Sequence, residues 1–94
     1  MNKFEEILKP IAELLEQKNK AYGNSFDKLR ERYGPAAFYI RIADKMGRIE
    51  NLDNNPDLCC GDESIIDTLN DIIGYCTLEI AYRQQYNSNT VGGK

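Results

Sequence analysis

The stretch from Glu63 to Arg83, ESIIDTLNDIIGYCTLEIAYR, limits the possible folds more than any other part of the chain. At the helical period, Ile65, Ile66, Leu69, Ile72, Ile73, Cys76 and Ile80 spread over more than one face, the pattern of a helix covered on several sides. Glu63, Asp67, Asp71 and Tyr75 recur every four residues, so their side chains stand in one column along the axis. Three carboxylates in a column repel one another. Unless that column faces open water it must meet something positive: a metal ion, a basic side chain or a ligand held through cations.

The remaining helices follow from the chain in order. Phe4, Ile7, Leu8, Ile11, Leu14 and Leu15 keep helical spacing between Lys3 and Lys20, with Pro10 predicting a kink or break in the middle. Tyr22-Gly23-Asn24-Ser25 predicts a turn, after which Ser25 caps a short helix bearing Phe26, Leu29 and Tyr33. Gly34-Pro35 ends that helix and opens a third, expected to reach about Leu52, with Phe38, Tyr39, Ile42, Met46 and Ile49 as its core stripe. Residues 53–62, DNNPDLCCGD, read as the one long loop, with Asp62 or Ser64 capping the central helix. Past Arg83 the chain turns polar and glycine-rich. The expectation is therefore one all-α domain over residues 1–86, a bundle of about four helices with the third and fourth long, followed by a flexible tail over 87–94.

Composition excludes several classes. At 94 residues a single core lies near the small end of independent stability, so a homo-oligomer is expected. A hydrophobic content of 41% with 29% charged residues is that of a soluble globular chain, and no apolar run approaches a membrane span. MNKFEEILKP lacks the apolar centre of a signal peptide, which makes the cytoplasm the expected compartment. Cys59, Cys60 and Cys76 are odd in number and two are adjacent, so no disulfide framework is expected. Without histidine or a CxxC pair, neither a zinc site nor a histidine-activated nucleophile is expected. The net charge of −3 argues against binding duplex nucleic acid.

Two sets of residues have the right chemistry for a site. Asp67 and Asp71, four apart on a helix, can bring oxygens to one magnesium ion, with Glu13 and Glu16 as possible partners. Equally, Asp71 can pair with a cation of the third helix, and Glu63 and Asp67 can complement the positive end of their own helix. Arg41, Lys45 and Arg48 form a basic stripe able to grip phosphate. Lys18, Lys20, Tyr22, Gly23 and Ser25 at the preceding turn add cations, an aromatic ring and a hydroxyl, and Tyr75 offers a second ring for a base.

The segments KNKAYGNSF (18–26), RYGPAAFYIRIADKMGRIENL (32–52) and ESIIDTLNDIIGYC (63–76) resemble the phage and bacterial family called nucleotide modification associated domain 1. The resemblance rests on Lys-x-x-x-Tyr-Gly-x-Ser, Arg-x-x-Asp-Lys-x-x-Arg and Asp-x-x-x-Asp-x-x-x-Tyr, and covers roughly residues 14–82. It implies a small helical protein connected with nucleotides. More distantly, Asp67 to Tyr75 is similar to the last metal-binding helix of the MazG-like all-α nucleoside triphosphate pyrophosphohydrolases, with Glu13 and Glu16 repeating their ExxE spacing. The later motif departs from theirs because Thr68 stands where an acid would precede Asp71 by three residues.

The first expectation is thus a phage-type protein that binds a nucleotide or cyclic nucleotide without converting it, sequestering a signal of host defence. The alternatives are a magnesium-dependent pyrophosphohydrolase or nucleotide-modifying enzyme, and an oligomeric protein-interaction module.

Overall fold

Helix α1 (Lys3–Ala21) starts at Asn2, whose Oδ1 accepts from the backbone N–H groups of Phe4 and Glu5 at 3.0 and 2.9 Å. The Glu5 carboxylate accepts in return from the Asn2 N–H at 3.1 Å, completing a capping box. Against expectation, α1 is unbroken at Pro10. The proline is exposed, and with its N-terminal donors capped the helix tolerates one missing backbone bond.

In the computed structural model, α1 is followed by α2 (Ser25–Tyr33), α3 (Ala36–Asn54) and α4 (Gly61–Val91), with no strand among the described residues. The structure describes residues 1–57 and 61–91, and of residues 61–64 and 86–91 the backbone alone. The molecule is an all-α bundle measuring 54 × 35 × 24 Å. Helix α4 touches each of the other three, most extensively α3, as its several apolar faces require.

The turn between α1 and α2 is tight and specific. Gly23 (φ +63°) donates to the Lys20 carbonyl at 3.2 Å, and Asn24 donates to the Asn19 carbonyl at 3.0 Å, the paired bonds of a Schellman motif. Asn24 is itself left-handed (φ +56°), and its side-chain oxygen accepts from Asn19 Nδ2 at 2.7 Å. Ser25 is consequently the first residue of α2 rather than its cap, and Asn24, committed to Asn19, makes no side-chain cap bond. A Cβ on Gly23 would meet only the flexible Lys28 Nζ at 3.8 Å, so the constraint is in the backbone. Gly23→Ala is expected to cost about 1–2 kcal/mol. Chemical denaturation measures this, and an unchanged midpoint would mean that the turn has another solution.

Gly34 (φ +70°) closes α2 through its N–H to the Arg30 carbonyl at 2.9 Å, and Pro35, in the right-handed helical region, leads directly into α3. This matches the sequence reading. Helix α3 ends at Asn54, two residues beyond expectation, where Asn55 Nδ2 donates to the Asn51 carbonyl at 2.8 Å. Helix α4 is already formed at Gly61, within the stretch expected to be loop. Cys59 and Cys60 lie outside the described residues, as do the side chains of Asp62, Glu63 and Ser64 and any cap they form. At its other end α4 continues past Arg83 to Val91, since extending a formed helix is far easier than starting one. The backbone of 87–91, read as tail from composition, is therefore helical, while 92–94 lie outside the described residues.

Burial is sparse. Among the described residues Phe26, 6% exposed, is the one large apolar side chain that is buried, and Thr68 and Glu79 are the buried polar ones. Leu15, Leu29, Phe38, Ile42, Ile49, Ile72 and Ile73 are half-buried, whereas Tyr39, Met46, Ile66, Leu69 and Ile80, all read as core, are exposed. On α1 the apolar stripe splits: Ile11 and Leu15 pack inward, Leu14 is partly exposed, and Phe4, Ile7 and Leu8 stand in solvent.

Candidate functional site

The turn built on Gly23 and Asn24 sets Tyr22 and Ser25 at the rim of a half-open cavity of about 340 Å³ lined by residues of all four helices. Helix α1 lines it with Ile11, Leu14, Leu15, Lys18 and Asn19, and α2 with Ser25, Phe26 and Leu29. Helix α3 contributes Arg41, and α4 contributes Asn70, Asp71, Gly74, Tyr75 and Leu78. The volume lies within the range of small-molecule sites, about 300–1,000 Å³. Apolar walls with a few polar groups are the usual composition of such sites.

Of the residues the sequence singles out, the cavity gathers Lys18, Tyr22, Ser25, Arg41, Asp71 and Tyr75. Gly23 holds the adjoining turn and does not line the cavity. Lys20, Lys45, Arg48, Asp67, Glu13 and Glu16 do not line it. Lys20 pairs with Glu16 along α1 at 3.3 Å, both side chains exposed, an arrangement of small energetic worth. Lys45 reaches across from α3 to Asp71 at 3.3 Å, so the stripe and the column do meet, but at this point they cancel. Arg41, one turn earlier on the same helix, places its guanidinium 5.9 Å from the centre of the Tyr75 ring. That ring also packs on Phe26, with centroids 6.3 Å apart. Tyr75 is thereby a wall that supports Arg41, and Tyr22, 65% exposed at the rim, is the ring with a free face.

Two of the carboxylates read as possible metal ligands are already paired. Glu16 is engaged by Lys20 and Asp71 by Lys45. Among the described residues no three His, Cys, Asp or Glu side chains come close enough to share an ion.

A second charged cluster lies beside the cavity. Glu79, 5% exposed, accepts from Arg30 Nε at 2.9 Å and Arg30 Nη2 at 3.0 Å, and also from Arg83 Nε. Arg30 stacks over Tyr82 at 4.8 Å. The paired bonds from Arg30, then those from Arg83, hold the Glu79 carboxyl below the ordinary carboxylate range despite burial, and the same bonds raise both guanidinium groups. This clamp was missed in the sequence, although a signal existed: the four-residue column that includes Asp71 and Tyr75 continues to Glu79 and then Arg83. Asn70 and Gly74 were missed too, and their signal is also present, a polar amide and a glycine inside an apolar helix.

Comparison with protein-family models, curated proteins and solved structures gives no significant match, so the likeness to nucleotide-associated families rests on the motifs themselves.

Proposed function

We propose that the chain binds a nucleotide in the four-helix cavity, with Arg41 and Lys18 taking phosphate and Tyr22 stacking on the base. The observation that supports this most strongly is the pair of cations. Among the described residues neither Lys18 nor Arg41 has a carboxylate within ion-pairing distance, and both border a cavity whose own acidic group, Asp71, is tied to Lys45. Positive charge beside apolar and aromatic walls suits a guest that is anionic at one end and planar at the other. A binder present in excess lowers the free concentration of its ligand by mass action, which suits sequestration of a nucleotide signal. Isothermal titration against mononucleotides and cyclic oligonucleotides tests the reading: saturable binding is expected, and silence across the panel would remove it.

The same proposal includes a homo-oligomer. Phe4, Ile7 and Leu8 form an exposed apolar stripe on a chain with little fully buried apolar surface, and a second copy covering it would supply the missing burial. Light scattering should return a multiple of the chain mass. A monomer at micromolar concentration would contradict this.

A further inference from the structure

We propose that the uncovered face of α4 is a self-association surface, on which a second copy of this chain packs antiparallel about a two-fold axis through Ile73. The proposal rests on the homo-oligomer reading above, names a surface separate from the α1 stripe, and does not depend on nucleotide binding.

Where a bundle leaves one of its helices uncovered, polar residues are the rule. Helix α4 does the reverse. The positions it leaves open are Ile66, 57% exposed, Leu69, 44%, and Ile80, 56%, with half-buried Ile73 at the centre of the same face. Thr77 completes the row, and its hydroxyl donates to the Ile73 carbonyl of its own helix at 2.7 Å, so its polar atom is already satisfied. No charge falls on this face. Asp67, Asp71 and Glu79 all project from other sides of the helix.

The occupant follows from the spacing. Ile66, Leu69, Ile73, Thr77 and Ile80 are separated by 3, 4, 4 and 3 positions, so the row reads the same from either end. Turned over about Ile73 it meets itself, Ile66 opposite Ile80, Leu69 opposite Thr77 and Ile73 opposite its own copy, which is the self-complementary contact of a two-fold dimer. Steps of three and four are also those that let two helices interlock along a common seam. An unrelated partner would have no use for a row that reads alike in both directions. Polarity then selects the antiparallel arrangement, because it sets the positive end of each helix dipole beside the negative end of the other. It also brings the acidic start of α4, Asp62 and Glu63 in the sequence, toward the end that carries Arg83, whereas a parallel pair brings like ends together.

From Ile66 to Ile80 the seam is about 21 Å long. Two copies of its five positions withdraw on the order of 800 Å² from water, less than the roughly 1,200 Å² at which stable specific interfaces begin, so association in the micromolar range is expected. Asp71, Tyr75 and Leu78, which line the cavity, lie across the helix from Ile73, and the contact leaves both cavities free.

The test is sedimentation velocity over a concentration series on the unaltered chain and four variants. Ile66→Glu and Ile80→Lys each set a charge against an isoleucine of the other copy and should weaken self-association at least about tenfold. Both positions are more than half exposed, so the helical circular dichroism signal should hold. The double variant, Ile66→Glu with Ile80→Lys, places glutamate opposite lysine twice and should recover most of the lost affinity. A double variant weaker than either single change would overturn the antiparallel seam. So would loss of helical signal in a single variant, which would show the face to be covered within the monomer. Single variants that associate like the unaltered chain, with Ile7→Glu monomeric, would overturn the seam and leave the α1 stripe as the oligomer contact. An unaltered chain that stays monomeric throughout would remove the seam and the homo-oligomer reading together.

Discussion

Glu79→Ala should lower the unfolding free energy by about 3–5 kcal/mol, the cost of stranding a buried charge whose partner is removed. Arg30 has only 11% of its side chain exposed, and both of its hydrogen bonds to α4 end on this one carboxylate. With total stability of small domains near 5–15 kcal/mol, the loss is a large fraction of the whole. Replacing both partners, as in Arg30→Met with Glu79→Leu, should be milder than either single change, because the double variant leaves no orphaned charge. Urea denaturation at fixed protein concentration measures all three, since self-association would otherwise shift the midpoint. A single-variant loss below about 1 kcal/mol would place the pair among ordinary surface contacts.

The same cluster sets an acid limit. The Glu79 carboxyl is depressed in the folded chain by Arg30 first and Arg83 next, so its contribution is fully present above its ordinary value of 4.5 and lost as pH falls through the lower folded value. Asp27, raised by burial and by Glu31, works in the opposite sense but has no comparable clamp. The unaltered chain should lose stability below about pH 4.5, and Glu79→Gln should show a shallower fall.

For ligand binding the largest effect is expected from Arg41→Ala, a loss of about 10- to 100-fold in nucleotide affinity, the worth of one or more hydrogen bonds to a charged group. Lys18→Ala should cost less, its ammonium being a mobile point charge, and Arg41→Lys should recover only part of the loss. The control is Arg48→Ala. Arg48 belongs to the same basic stripe on α3 but does not line the cavity, so its removal should leave affinity within about twofold. Equal losses from Arg41→Ala and Arg48→Ala would mean that the ligand lies along the helix face instead.

Helix positions were legible in the sequence because apolar spacing and the Gly34-Pro35 punctuation are local signals. Turn chemistry was half legible. Gly23 and Asn24 announce a turn, but only the bond between Asn19 and Asn24 shows why Ser25 does not cap it. The basic stripe read as one unit divides in three dimensions, Arg41 toward the cavity, Lys45 onto Asp71, and Arg48 away from both. Periodicity places residues on a face but says nothing of what stands opposite. The same limit explains α1, where a continuous apolar stripe meets α4 only at its inner edge, leaving Phe4 and Ile7 uncovered.

The bond between Arg30 and Glu79 spans 49 positions of sequence, from the second helix to the late part of the fourth. During synthesis, Arg30 leaves the ribosome with no acceptor available, and α2 must wait for more than half of α4 before it is fastened there. A nascent chain stalled ahead of Glu79 would expose Phe26 and its neighbours to proteases and chaperones, whereas one released only slightly longer could close. Closure of the bundle thus depends on a contact that arrives well after α2 and α3 have been made.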